Sequence, residues 1–427
     1  MPPTGPQTTT GSRTAINPRT TTNLLATVDP LTTADPLVTP DDLRAAIDRI
    51  PLVDHHVHSV VGENLTEAEL EVALTEAYLP PARPATVFDS QLGFAVRNWC
   101  APLLGLPAFT SPAAYVARRA ELGPDEVNRR FLTAAGASDL LVDIGYAGDR
   151  LIPDAELARL SGTHVRTLLR LESIAERWIS SDLEGLASLD ALLRESASSA
   201  VGFKSVAAYR GGLRLPAEPP AAQDVEIALR AWRDTVSTRD APPRLTDRTI
   251  LRHLIWWALR DGRPLQFHTG FGDPDLLLRE SDPLALQDLL VRAADLGGPV
   301  VLLHTYPFVR HAGYLAAVLP HVYFDVGLTS NHIGTSAVTA VREALELTPF
   351  GKLLYSSDGI GLPELTFLGA RQWRAATTAV LTENMRDHGW PAGECLRVAE
   401  LIGRGNAQAI YGLTDQDSYP APGPEED

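Results

Sequence analysis

Cysteine is nearly absent from this chain. Its 427 residues hold two, Cys100 and Cys395. That is too few for a disulfide scaffold or a cysteine-rich zinc module, so a reducing, cytoplasmic setting is expected. Positive charge is also scarce: Lys and Arg number 37 against 53 Asp and Glu, a formal charge of −16. Nucleic acid and anionic bilayers are gripped by clustered Lys and Arg, so neither is an expected partner. No apolar run approaches the ~20 residues of a membrane span. A phosphate-cradling loop is missing too. Gly270-Phe-Gly272 lacks the Gly-x-Gly-x-x-Gly spacing and any following Lys-Ser/Thr, and reads as a strand-to-helix turn.

The composition that remains is globular, with 44% hydrophobic and 21% charged residues. The length allows two or three small domains or one large barrel. Residues 1–40 hold twelve Thr and seven Pro. With so little apolar area to bury they read as a disordered tail, and they lack the apolar core of a secretory signal. Residues 413–427 read as an acidic, Pro-rich tail. The folded part is expected over 41–412.

Within it, short apolar runs alternate with helical spacing. The runs are Pro51–His58, Leu140–Ile144, Val165–Leu171, Ala200–Val206, Pro264–His268, Pro299–His304, Val322–Val326 and Lys352–Ser356. Near-continuous apolar strands suit a parallel sheet covered on both faces. Eight of them interleaved with helices predict an α/β fold, a (β/α)8 barrel of the TIM type. A doubly wound open sheet is the alternative. Between strands one and two lies a long stretch with several helical patterns, one opening on a Thr66–Glu69 capping box. It predicts a helical insertion over about 61–138 on the face where barrel chemistry sits.

The polar residues at the strand ends carry the chemistry. In Asp54-His55-His56-Val57-His58, residues two apart share a side. His56 and His58 therefore aim together at the barrel mouth, a natural start for a divalent metal site. His55 should face the other way, and Asp54 should orient a ligand histidine from below. Strand five ends at His268, strand six at His304 and strand eight at Asp358, while strand four carries Lys204. A single strand-end histidine is often only hydrogen-bonded, but the set together points to a metal. His56, His58 and Asp358 would hold one divalent ion, most simply zinc, helped by His268 or His304. Such an ion lowers the pKa of its water to ~7, and Asp358 would shuttle the proton. A protonated Lys204 cannot ligate; carboxylated by CO₂ it could bridge two ions, and the plain alternative is a lysine paired with an acid. One or two ions per chain are expected.

His56-x-His58, Lys204, His268, His304 and Asp358, in this order over residues 41–412, resemble the amidohydrolase superfamily. Several strings are similar to the branch found as the amidohydrolase domain of FluG-type and nodulin–glutamine synthetase fusion proteins. Among them are Val53-Asp-His-His-Val-His58, Phe203-Lys-Ser-Val-Ala-Ala-Tyr-Arg210, Leu265-Gln-Phe-His-Thr-Gly-Phe-Gly-Asp273 and Gly405-Asn-Ala-Gln-Ala-Ile-Tyr411. The resemblance implies a metal-dependent hydrolase acting on an amide bond. The fusion partners point to γ-glutamyl or other amino-acid conjugates as substrates, and to a functional link with a separate glutamine-synthetase-like protein. Relatives also include decarboxylases and hydratases, which form the rival reading, with a non-catalytic binding module as a third. Gly359-Ile360 departs from the polar residue expected in this branch.

Arg210, Tyr306 and Glu364 are expected to contact a small-molecule substrate, Arg210 by holding a carboxylate. His332 is expected to polarise the scissile group as a second catalytic residue. Arg170, Glu172 and Arg310 also lie in loops that face the cleft. For each, a loop salt bridge is the plain alternative. Barrels of this kind often pair through their outer surface, so a homo-oligomer is compatible with the sequence.

Overall fold

The computed structural model describes residues 39–145, 150–237 and 241–413. The two tails expected over 1–40 and 413–427 lie outside these residues, apart from their inner edges. At the first edge, Thr39 caps helix α1 (Pro40–Asp48). Its side chain accepts from the Asp42 amide, the Asp42 carboxylate returns the bond, and Pro40 takes the first helical position. Leu43 and Ile47, four apart, bury one face of the helix.

Seven strands follow: β1 (Leu52–Val57), β2 (Ala137–Asp143), β3 (His164–Arg170), β4 (Ala200–Ser205), β5 (Leu265–His268), β6 (Val300–Leu303) and β7 (Val322–Phe324). They pair in sequence order, each parallel to the next. Strands β1, β5 and β6 are buried along their whole length, as helices on the outside and side chains within require. The eighth strand expected over Lys352–Ser356 is not a regular ladder. Leu353 forms one isolated bridge with Phe324. The segment still closes the curled sheet. The Leu354 amide donates to the Phe324 carbonyl at 3.0 Å, and the His55 amide to the Tyr355 carbonyl at 3.3 Å. It leaves strand geometry because Asp358, at φ 51°, turns left-handed. Sequential order with closure excludes the doubly wound sheet, whose strand order reverses at a switch point.

Between β1 and β2 the chain is helical, with α2 (Glu67–Ala73), α3 (Pro112–Leu122) and α4 (Pro124–Ala135) among its elements. Thr66 and Glu69 form the capping box of α2. This segment builds its own apolar cluster, including Leu70, Phe88, Tyr115 and Phe131, against Leu365 and Leu368 of the long helix α5 (Pro363–His388). A buried ion pair pins the same contact. Arg119 donates to both carboxylate oxygens of Glu364, at 2.7 and 3.3 Å, and the Tyr115 hydroxyl donates at 2.8 Å. Glu364 was expected to meet substrate; instead it is fully buried and its oxygens are taken by Arg119 and Tyr115. It enters just after the first residue of α5, which turns it toward α3.

Removing one partner of a buried pair strands the other charge. Glu364→Ala should therefore lose about 3–5 kcal/mol of unfolding free energy, read from urea denaturation. A loss below about 1 kcal/mol, the range of an exposed pair, would show that this pair does not anchor the segment.

Candidate metal centre

His56 and His58 project from the end of β1 into the barrel mouth, and both are buried. Each imidazole is tied at one nitrogen. His56 Nδ1 donates to the Gln266 amide oxygen at 2.8 Å, and His58 Nδ1 donates to the Asp143 carbonyl at 3.0 Å. Those oxygens can only accept, so the proton of each neutral ring sits on Nδ1 and the lone pair on Nε2. The Nε2 atoms lie 3.0 and 3.6 Å from Asp358 Oδ1. Burial holds His56 well below the ordinary imidazole range and brings His58 down to about 4. Burial also raises Asp358 to about 6. Acceptors therefore face acceptors, an arrangement that suits a cation between them. Lys204 Nζ, 3.1 Å from His56 Nε2, brings one positive charge to their edge, and a divalent ion would supply more.

His304 strengthens that fit. It is fully buried, neither ring nitrogen makes a hydrogen bond, and Nε2 points to Asp358 Oδ2 at 3.4 Å. Its backbone is held at φ 69°, and that of Thr305 at φ 56°, conformations costly for residues with a Cβ. Asp325 stabilises the bend: its carboxylate accepts from the His304 amide at 2.7 Å, and its carbonyl from Thr305 Oγ1 at 2.8 Å. Donor atoms of His56, His304 and Asp358 lie within 4.8 Å of one another, and so do those of His56, His58 and Asp143.

His268 and Lys204 stand beside this set. The His268 ring lies 4.7 Å from that of His304, but its Nε2 donates to the Phe271 carbonyl at 3.1 Å, leaving Nδ1 as the free donor atom. Lys204 is buried, with Nζ 3.1 Å from His56 Nε2. Burial lowers its pKa to about 8.

Two expectations at β1 are corrected. Pairing of β1 with β2 shifts register between Asp54 and Val57, so strict alternation fails there. His55 does not face away. It shares the Gln266 amide with His56, and its Nε2 lies 2.8 Å from Asp325 Oδ2. Asp54 orients no ligand histidine; it accepts from the amide of Ser357 at 2.9 Å and from its hydroxyl. It thereby positions the turn into Asp358. Burial raises its pKa to about 7.

The centre opens into a cavity of about 260 Å³. Arg210 borders it, paired with Glu176 at 3.2 Å. Arg170 borders it too, bound to Asp143 at 2.6 Å. Burial works against ionisation of Asp143, but Arg170 together with His58, Lys204 and His56 outweighs it and holds the carboxyl low. Ile360 lines the wall where a polar residue was expected. His332 lies behind the lining, its ring edge-on to Phe271 at 5.4 Å. Tyr306, expected to touch substrate, is 40% exposed and is not among the cavity walls. The left-handed bend at His304 and Thr305 carries it away. Arg310 is exposed and paired with Glu343 and Glu346. Glu172 is buried, accepting from Ser205 and Val206.

Sequence reasoning passed over Asp143, Gln266 and Asp325. Each ends or nearly ends an apolar run, the same signal that marked the histidines. It also passed over Glu76, Tyr78 and Asp273, which line the cavity through tertiary placement. Gln266→Leu removes the acceptor that fixes the His56 tautomer. It should weaken zinc binding about 10- to 100-fold in a chelator competition titration; unchanged affinity would deny Gln266 that role.

A family model for amidohydrolases matches residues 206–413. The FluG protein of Emericella nidulans is 35% identical over 228 residues, which cover 51% of this chain and 26% of that protein. This chain thus spans about a quarter of that relative's length. A solved structure from Lactobacillus casei, assigned as a metal-dependent hydrolase, superposes with a TM-score of 0.72 at 28% identity, covering 87% of this chain and 97% of the other. Uronate isomerase from Bacillus halodurans shares the fold, with a TM-score of 0.57 at 14% identity over 88% and 96% of the two chains. Over residues 206–413, a little under half of its length, the chain is similar to the amidohydrolase family.

Proposed function

We propose that this protein is a metal-dependent hydrolase that cleaves the amide bond of a γ-glutamyl or related amino-acid conjugate. The observation that carries the reading is the convergence of His56 Nε2, His58 Nε2 and the His304 ring on the Asp358 carboxylate at the foot of an open cavity. His56, His58, His304 and Asp358 would hold a divalent ion, zinc being the natural match for imidazole and carboxylate donors, with His268 Nδ1 in reserve. When bound, such an ion activates water and polarises a carbonyl.

The remaining work falls to this chain's own groups. Asp358 is ionised at neutral pH yet, raised to about 6 by burial, is basic enough to accept a proton on a carboxylate oxygen and release it to the departing nitrogen. The bonds from Gln266 and the Asp143 carbonyl keep His56 and His58 from donating at Nε2. Lys204, lowered to about 8, has an accessible neutral form. That amine reacting with CO₂ yields a carbamate and a proton, and the carbamate would add two oxygen donors between two ions. His332, expected to polarise the scissile group, feels the Asp358 charge but does not line the cavity, so its place is behind the wall against Glu76 and Phe271. Arg170 and Arg210 on the wall suit a substrate carboxylate.

Elemental analysis of the protein purified without added metal should find about one or two ions per chain, two if Lys204 is a carbamate. A strong chelator should abolish amine release from γ-glutamyl amides, and zinc should restore it. Release of CO₂ or addition of water in place of amine release would assign a lyase. Asp358→Asn should lower kcat about 100- to 10,000-fold without moving the unfolding midpoint; full activity would remove it from the reaction.

A further inference from the structure

The charges around the cavity are not balanced within it. Three arginines border the space, and each already has a carboxylate partner. Arg170 is bound to Asp143 at 2.6 Å, Arg210 to Glu176 at 3.2 Å and Arg244 to Asp275 at 3.0 Å. Two acids on the same walls have no such partner. Glu76, from the end of the α2 region, meets the His332 Nε2 atom at 3.8 Å, and burial keeps that ring at about 4, hence neutral. Asp273, from the turn after β5, accepts from the Tyr78 hydroxyl at 3.0 Å and the Asp275 amide at 2.9 Å. Among the described residues neither forms a salt bridge to Lys or Arg. Both line the cavity that contains Asp358.

A carboxylate on the wall of a narrow cavity loses hydration that only a cation or several donors can replace. Glu76 has no such donors, and Asp273 has two. The Tyr78 hydroxyl, bonded to Asp273, adds an acceptor on its free lone pair. The cluster therefore offers carboxylate and phenol oxygens to one small cation that can donate several hydrogen bonds. That is the description of a primary ammonium group. The cluster differs from the metal centre in its donors, which are carboxylate and phenol oxygens in place of converging imidazoles.

We propose that Glu76 and Asp273 form the subsite for the α-ammonium group of the substrate, so that the enzyme selects conjugates whose amino acid has a free amine. This rests on the reading that the substrate is an amino-acid conjugate, and it narrows that class: N-acylated analogues are excluded. Burial, together with the neighbouring carboxylates Asp358 and Asp273, pushes Glu76 up to about 8, consistent with an acid held without its counter-charge.

The test uses binding rather than turnover. L-Glutamate, the acyl product of a γ-glutamyl amide, and glutarate differ in the α-ammonium group alone. Their affinities for the zinc-loaded full chain are measured by calorimetry. The wild type should bind L-glutamate at least about tenfold more tightly, the scale of a charge-assisted hydrogen bond. Glu76→Gln, which is isosteric, should bring the two affinities together, and Asp273→Asn should narrow the gap. Equal affinity in the wild type, no binding of either acid, or a preference that survives in Glu76→Gln would overturn the proposal. Failure to release amine from any γ-glutamyl amide, with the glutamate preference intact, would overturn hydrolysis and leave this subsite standing.

Discussion

Three acceptor groups are forced together where water has little access: Nε2 of His56, Nε2 of His58 and the carboxylate of Asp358. Their lone pairs repel one another, and each ring is denied an escape by the bond at its other nitrogen. Much of the surrounding structure exists to hold that unfavourable meeting. Gln266 spans the barrel interior, accepting from His56 while donating to the His55 carbonyl and the Tyr411 hydroxyl, both at 2.8 Å. Asp325 holds the left-handed bend at His304 and faces His55. Asp54 holds Ser357, and the Asp358 amide donates to the His56 carbonyl at 3.0 Å. The left-handed backbone at His304, Thr305 and Asp358 costs about 1–3 kcal/mol per residue. Such strain persists only where neighbouring bonds over-determine it.

The turn after β5 shows how tightly the centre is packed. A Cβ on Gly272 would collide with the Tyr209 hydroxyl and approach His268 Nε2 at 2.9 Å. The turn must be glycine there for Tyr209 to pack edge-on against the His268 ring at 4.6 Å. What looked in the sequence like a merely permissive strand-to-helix turn is a close approach of backbone to site side chains.

The barrel was legible because its signal is local. Seven apolar runs became strands within a few residues, and each histidine proposed from a strand end sits at the mouth. The eighth run failed as a ladder because Ser357 and Asp358 bend the chain out of strand geometry for the sake of the site. His55 was misplaced because a register shift breaks alternation, and nothing in Asp54-His55-His56 announces it. Asp143 and Asp325 carried the same signal as the histidines and were overlooked, since a lone acid after an apolar run is common. Glu364 was misjudged because nearness to Asp358 along the chain says nothing about direction once a helix begins at Pro363. Glu76 was beyond reach: its place depends on how the whole segment between β1 and β2 docks on α5.

That docking separates two kinds of constraint. The barrel strands hold the converging donors, and their geometry must be rigid, because a shift near 1 Å would change which lone pairs meet. The segment between β1 and β2 contributes Glu76 and Tyr78 from outside the barrel, anchored on one side by the buried Arg119–Glu364 pair and on the other by the Tyr78–Asp273 hydrogen bond. A buried, bidentate ion pair tolerates little displacement, whereas a single hydrogen bond from a tyrosine that is 56% exposed competes with water and contributes little net stability. The firm anchor is therefore remote from the cavity and the weak one is at its edge. Side chains on such a segment can change without disturbing the donors below, which makes it the part of the molecule where selectivity varies at the lowest cost to the chemistry.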